Sequence, residues 1–198
     1  MSKIIFRAFG VVTLVLSVSA CTTTGPTLGS AKIGYGDTEA VETITNEFSS
    51  TDLKIMAESM TDSLLETSIL SGRPTLTIAK VKNKTSEYVD TKLITDSIRS
   101  KMLKSGKVRF AVDVSAMENQ TEELMRQSQS GLYKKSSAAS IGNMVGAKYR
   151  LEGSISSIVK SSTKYKDVYY KLSLQLVDNE SGLLEWADEK DIRKTTKR

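Results

Sequence analysis

The sequence predicts a single small α/β domain in which two strand–helix units precede an antiparallel meander. Three observations support this fold class. Apolar residues recur every three or four positions in two early segments, short strand-like runs lie beside them, and the last third alternates between apolar and polar residues. The chain has 198 residues, of which 39% are hydrophobic and 26% are charged, a composition that supports one folded core.

The first half of the domain contains two amphipathic helices and two strands. The first helix extends from Thr51 to about Ser68, and the second follows Asp90 and stops at Gly106. A strand over residues 75–81 and a polar loop over 82–88 separate them, and residues 108–114 form the next strand. The residues expected to face the core are Leu53, Met56, Ala57, Met60 and Leu64 in the first helix, and Leu93, Ile94, Ile98, Met102 and Leu103 in the second.

The second half begins with helices and ends in strands. Ser115 and Glu118 have the spacing of a capping box, which predicts a helix to about Gln127. After a loop, residues 137–145 are expected to form a short helix that ends at Gly146. Alternation over 149–155 and 170–176, a turn at 178–182 and a last strand from Leu184 complete the meander, with Trp186 expected in the core.

The first twenty residues resemble a bacterial export signal. Lys3 and Arg7 precede an apolar stretch over 8–16, which is too short to span a bilayer. The stretch ends in Val18-Ser19-Ala20-Cys21, the pattern that lipoprotein signal peptidase requires before a lipidated cysteine. An ordinary secretory signal with an incidental cysteine is the alternative. Because Thr22 rather than aspartate follows the cysteine, we expect an outer-membrane lipoprotein facing the periplasm.

The mature chain therefore divides into an anchor, a tether and a domain. Residues 1–20 are the signal peptide, and Cys21 carries the lipid. Residues 21–50 are rich in threonine, serine and glycine and lack a hydrophobic period, which indicates a flexible tether. Residues 51–198 form the globular domain.

The composition argues against an enzyme. The chain has no histidine, and its one cysteine leaves no Cys/His cluster that could hold a metal. Neighbouring carboxylates such as Glu122 and Glu123 diverge from one another and cannot act on one substrate atom. We expect no catalytic residue, no metal, no cofactor and no small-molecule substrate.

Lysines and tyrosines cluster around the hairpin of the meander. The cluster has three interpretations: a solvated face, a surface that steers an acidic partner, or a nucleic-acid patch, the last disfavoured by the scarcity of aromatics and by the compartment. Alternation places Tyr170 inward and Tyr169 outward, where Tyr169 is either an interface anchor or an ordinary strand residue. Lys164, Lys166 and Tyr169 are our candidate partner-binding residues.

Four segments in order resemble the penicillin-binding-protein activator lipoproteins of the LpoB family. Each segment is weakly specific alone, but together they span most of the domain. They are residues 75–85, which close in Asn83-Lys84-Thr85; residues 98–110; residues 145–153, with Gly146-Ala147-Lys148-Tyr149; and residues 174–178, followed by Ser181-Gly182 and Glu185-Trp186.

The resemblance implies a fold, a partner and a role. The fold is a mixed sheet of about four strands flanked by helices, related to the amino-terminal domain of TolB. The role is to reach from the outer membrane to a bifunctional class A penicillin-binding protein and to activate its peptidoglycan synthesis. The resemblance to the curli-secretion lipoprotein keeps a second class open, a structural component of an outer-membrane secretion or surface-assembly system.

Overall fold

The computed structural model describes residues 36–113 and 116–198, and residues 41–198 form one compact unit. Helices and strands alternate in its first two thirds, and three long strands follow. The elements are α1 (Ser50–Leu65), β1 (Thr75–Ile78), β2 (Lys82–Lys84), α2 (Thr91–Lys104), β3 (Arg109–Phe110), α3 (Met117–Gln129), β4 (Tyr149–Ser161), β5 (Tyr165–Asp178) and β6 (Leu184–Lys197). The predicted fold class, a mixed sheet with helices in a single α/β domain, is confirmed.

The sheet has six strands rather than the expected four. Its order is β3-β1-β4-β5-β6, with β1 parallel to β3 and β4 and the last three strands antiparallel. The sequence segments themselves predicted five strands, and the strand they missed is β2, which pairs in parallel with β4 where a polar loop was predicted. The side chains of β2 are exposed, so only its backbone joins the sheet. Val81, the residue before β2, is buried, but β2 itself has no apolar alternation that would mark a strand in the sequence.

Helices α1 and α2 cover one face of the sheet, which we call the inner face. The predicted residues Ile94, Ile98 and Met102 of α2 are buried, whereas Leu93 and Leu103 are about half exposed and were wrongly assigned to the core. Their positions lie outside the narrow stripe that contacts α1 and the sheet. The inner face of the sheet contributes alternate apolar residues of the long strands: Tyr149, Leu151, Ile155, Val168, Tyr170, Leu172, Leu174 and Leu176.

Segment 116–148 differs most from the prediction. Helix α3 ends at Gln129, and its N-cap is Ala116 without a side-chain hydrogen bond, while Ser115 of the expected capping box lies outside the described residues. The helix predicted over 137–145 is absent, and the chain forms turns there. Gly142 has a φ of +92°, a backbone conformation incompatible with a right-handed helix.

Strand β6 is an edge strand, and this changes the environment of Trp186. The indole lies opposite Leu176, on the inner face that also holds Leu174, as the alternation predicts. However, Trp186 is only partly buried against the core, because no further strand covers the outer edge of β6.

The close contact between β4 and β5 requires a glycine. A Cβ atom on Gly153 would lie 2.1 Å from the carbonyl oxygen of Ser173 and 2.7 Å from the side chain of Leu174. Any other residue would push the two strands apart, because real Cβ contacts essentially never fall below 3.0 Å.

Part of the segment assigned to the tether is packed on the domain. The compact unit begins at Val41, ten residues before the predicted boundary at Thr51. Phe48 contacts the ring of Tyr170 edge-on, with centroids 5.6 Å apart, and Asn46 is 7% exposed. The Tyr170 hydroxyl donates to the Glu87 carboxylate and lies 3.3 Å from the carbonyl oxygen of Asn46, and burial together with Glu87 raises the pKa of Tyr170. Isolated apolar residues such as Phe48 have no periodicity that would reveal this packing.

A buried ion pair joins the same segment to the last strand. Lys194 Nζ on β6 lies 2.9 Å from Asp52 Oδ2 on α1, with 16% and 7% of the side chains exposed. Lys194 also donates to the carbonyl of Glu47 at 2.7 Å. Asp52 accepts hydrogen bonds from the backbone and hydroxyl of Ser49, the N-cap of α1. These contacts connect the start of the domain, α1 and β6 at one point.

The core of the meander gives the first prediction. Leu176 is fully buried between β4 and β6, so Leu176→Ala should lower the free energy of unfolding by about 3 kcal/mol through lost contacts and a residual cavity. Leu184→Ala is the matched control because Leu184 is 61% exposed, and it should change stability by less than about 0.5 kcal/mol. Equal losses for the two variants in urea unfolding would contradict the register of β5.

The ion pair gives the second prediction. Lys194→Met should destabilise the domain by about 3 kcal/mol, because it leaves a buried carboxylate without its cation. Lys190→Met is the control on the same side of the same strand, since Lys190 forms no ion pair within the described residues. Chemical denaturation of both variants tests the difference, and a loss below about 1 kcal/mol for Lys194→Met would show that the pair is dispensable.

Candidate partner-binding surface

The face of β4, β5 and β6 opposite α1 and α2 is polar along its middle, and we call it the outer face. Strand alternation places the odd-numbered residues of β5 there, and those from 167 to 175 are half-buried by their neighbours, while the even-numbered ones from 168 to 176 are buried on the inner face. The outer face contains cross-strand rows such as Ser154–Ser173–Glu189 and Ser156–Lys171–Asp191. The charges in these rows are paired, with Lys171 Nζ 2.5 Å from Glu189.

Near the β4–β5 turn, the outer face carries exposed apolar and aromatic side chains in addition to charged ones. We call this end the distal face; it consists of Ile158, Lys160, Tyr165, Asp167, Tyr169, Arg193, Thr195 and Lys197. The strands bring these residues together in rows, with Ile158 beside Tyr169 and Tyr169 beside Arg193. Ile158 is 57% exposed and Tyr165 is 49% exposed, so the distal face offers apolar and aromatic contact area.

The acidic group at the centre of the distal face is neutralised within the fold. Arg193 holds the Asp167 carboxylate through Nε and Nη2, with the shortest distance 2.8 Å, and Thr195 Oγ1 donates at 2.8 Å. These hydrogen bonds, from Arg193 first and then Thr195, lower the pKa of Asp167 and keep it ionised. Within the described residues, Lys160, Lys164 and Lys197 form no ion pair. The distal face therefore has an excess of positive charge.

Tyr169 lies on this face near the Asp191 carboxylate, which raises the pKa of the phenol. A tyrosine ring has few rotatable bonds and loses little conformational entropy when a partner covers it. Tyr169, Tyr165 and Ile158 together can supply an apolar contact that the surrounding lysines orient.

The structure brings together two of the three residues predicted from the sequence. Tyr169 lies on the distal face, and exposed Lys164 lies in the turn beside it, where its carbonyl accepts from the backbone of Arg198. Lys166 projects to the opposite side of β5, in line with Val168 and Tyr170, and its carbonyl accepts from the Asn46 amide at 3.5 Å. A contact surface on one face of the meander therefore does not include the side chain of Lys166.

Ile158, Lys160 and Lys197 were not assigned to the surface from the sequence. The register of β4 and β6 against β5 decides their membership, because Ile158 lies opposite Tyr169 and Lys197 opposite Tyr165. Alternation extended through residue 161 would have indicated Ile158 and Lys160. Nothing local would have placed Lys197 beside Tyr165.

The middle of the outer face forms a shallow polar depression of about 740 Å³ between β2 and β6. Its carboxylate Glu152 is bound by Arg150 at 2.9 Å and by Gln175 at 2.8 Å, and these two bonds lower the pKa of Glu152. Among residues 36–113 and 116–198, no group of three or more histidine, cysteine or acidic residues could hold a metal. No helix within those ranges is long and apolar enough to cross a bilayer.

Comparisons with known proteins place the chain in a family. Residues 52–192 match the family model described as peptidoglycan-synthase activator LpoB. No curated protein sequence matches significantly.

Solved structures of similar chains include LpoB from two bacteria. The LpoB C-terminal domain from Escherichia coli is 20% identical with a TM-score of 0.46, and the one from Salmonella enterica is 19% identical with a TM-score of 0.44. Each covers 71% of this chain and 98% of its own. The family match alone covers more than half of the sequence and includes every element from α1 to most of β6. The chain therefore belongs to the LpoB family of peptidoglycan-synthase activators.

Proposed function

We propose that this protein is an outer-membrane lipoprotein that binds a bifunctional class A penicillin-binding protein and activates its peptidoglycan synthesis. The family match over residues 52–192 is the observation that carries the proposal. The family is defined by activation of a synthase, so binding rather than catalysis is the role assigned to the domain. A binding role agrees with the distal face, where exposed apolar and aromatic side chains lie beside unpaired lysines.

The distal face is the proposed contact surface. Its unpaired lysines, Lys160 and Lys197, together with Lys164 in the adjoining turn, would attract an acidic surface of the synthase and raise the association rate. Tyr169 and Ile158 would then provide the desolvated centre that holds the complex together. Lys166 is left outside this contact because of its position on the other side of β5.

The anchor and tether are part of the same proposal. Cys21 would carry the lipid, and the tether would connect it to the domain. Residues 41–50 of the proposed tether are packed on the domain, so only residues 21–40 remain to span the distance. Their contour length is at most about 70 Å at about 3.4 Å per residue, and a relaxed chain of this length spans about 25 Å. In this proposal the start of the domain near Val41 lies at most about 70 Å from the outer membrane.

The anchor is tested by Cys21→Ser. A serine hydroxyl does not accept the diacylglyceryl group, so the variant should remain an uncleaved, unlipidated precursor that is absent from the outer-membrane fraction. Thr22→Ser is the control next to the site and should be processed normally. If membrane fractionation and mass spectrometry find Cys21→Ser cleaved before residue 21 and bound to the outer membrane, the lipoprotein assignment is wrong.

Activation is tested with the purified synthase. Residues 22–198 without lipid should bind the synthase of the same organism and raise its glycan polymerisation rate several-fold, because no membrane distance has to be spanned in solution. The double variant Lys160→Glu/Lys164→Glu should bind about tenfold more weakly and with less salt dependence. Lys104→Glu, an exposed lysine on α2, should leave binding unchanged.

The outcome separates the two functional classes. If the wild-type chain neither binds nor stimulates any bifunctional synthase of its organism, the activator role is wrong. Cross-linking in cells that recovers a secretin or a ladder of the protein itself would instead support the assembly lipoprotein. If the synthase is stimulated equally by Lys160→Glu/Lys164→Glu, the activator role stands and the distal face is not the contact.

A further inference from the structure

Helix α3 connects β3 to β4, and none of its side chains is buried. A right-handed crossover in this direction places α3 on the outer side of the sheet, opposite α2. Between the start of α3, residues 144–147 and the outer side of β1 and β3 lies an open depression of about 790 Å³, which we call the α3 groove. A helix that buries no apolar surface gains little from the rest of the fold, because helices in proteins are stabilised mainly by packing of one face.

The α3 groove is lined by apolar side chains that remain accessible. They are Val112, Met117, Met144 and Val145, and the last two are 47% and 62% exposed. Single exposed apolar residues are ordinary on protein surfaces, but a contiguous concave group is typical of an interaction site. Methionine side chains adapt their shape to different partners, and two of these four residues are methionines.

The charged side chains that line the α3 groove indicate which kind of ligand it would bind. Arg109 lines it from the edge strand β3 and, within the described part of the chain, its guanidinium forms no hydrogen bond or ion pair. The other charged lining residues are satisfied: Arg150 is bound to Glu152 and Asn179, and Asp113 is bound to Arg99. One uncompensated cation beside an apolar surface is complementary to an apolar segment that carries a carboxylate.

We propose that the α3 groove binds an amphipathic peptide segment of a partner protein whose acidic side chains lie beside its apolar ones. The apolar side would contact Met117, Met144 and Val145, and an acidic residue would pair with Arg109. This inference does not depend on the proposed synthase activation. The groove lies at the start of β4 and the distal face at its end, about 33 Å away at about 3.3 Å per residue. The domain could therefore hold two partners at once.

The test uses the mature chain, residues 21–198 with Cys21→Ser, and two synthetic peptides. Each has about 16 residues, enough for four helical turns, with leucines at helical spacing and either glutamates or lysines elsewhere. Fluorescence anisotropy measures binding, and amide shifts in NMR spectra locate it. The acidic peptide should bind at least tenfold more tightly than the basic one and shift residues 109–113, 117–120 and 144–147.

Three variants check the location. Arg109→Glu should weaken the acidic peptide about tenfold, and Met144→Glu should do the same by placing a charge in the apolar wall. Lys197→Glu, at the opposite edge of the sheet, is the matched charge reversal and should have no effect. Thermal melting confirms that the exposed positions tolerate these changes.

Four results would overturn the proposal. The first is equal binding of the two peptides, and the second is loss of binding in Lys197→Glu instead of Arg109→Glu. The third is that laurate, added as a lipid probe, shifts the amide signals of the groove while neither peptide does. The fourth is concentration-dependent self-association of the protein that Met144→Glu abolishes. The third would assign the groove to a lipid and the fourth to a second copy of this chain.

Discussion

Strand β5 is the constraint on which the rest of the structure depends, because it pairs along its whole length with β4 on one side and β6 on the other. A strand fixed on both edges cannot shift its register without moving every side chain to the other face. Its even positions, including Tyr170 and Leu172, are therefore committed to the core, and its odd positions to the outer face. Helices α1 and α2 bury the first set, and the polar rows and the distal face are built on the second. The close contact at Gly153 keeps β4 in this arrangement.

The same strand also fixes where the segment before α1 meets the rest of the domain. Tyr170 holds the segment around Phe48 through its ring and its hydroxyl, and Lys194 on the neighbouring strand holds Asp52 and the carbonyl of Glu47. Removing one partner of a buried ion pair is costly, so Lys194 and Asp52 contribute to holding this segment on the domain. The contacts also leave fewer residues for the proposed tether.

The β1–β3 and β3–β4 crossovers run in opposite directions along the sheet, so right-handed connections place them on opposite sides, and this explains the division of surfaces. The β1–α2–β3 crossover contributes to the core, whereas the β3–α3–β4 crossover lies on the outer side and leaves a groove beneath it. The outer side therefore holds an apolar groove near β3 and a basic, tyrosine-containing face near the β4–β5 turn. Their chemistry differs: the groove offers contact area and one cation, whereas the distal face offers several cations around a few rings. Surfaces of such different character suit different partners.

The sequence alone determined the parts of this protein that depend on local periodicity. The stripes of α1 and α2, the alternation of β4 and β5 and the turn at 178–182 all follow from residues close together in the chain, as does the family resemblance later matched over residues 52–192. Tertiary structure decided what depends on distant residues. It recruited the exposed β2 through backbone hydrogen bonds, left Trp186 half-buried on an edge strand and packed Phe48 on Tyr170. It also separated Lys166 from Tyr169, although they are three residues apart, and joined Tyr169 to Ile158 and Arg193. The physical reason is that a surface consists of side chains from several strands, and strand register, which no single segment encodes, decides which of them meet.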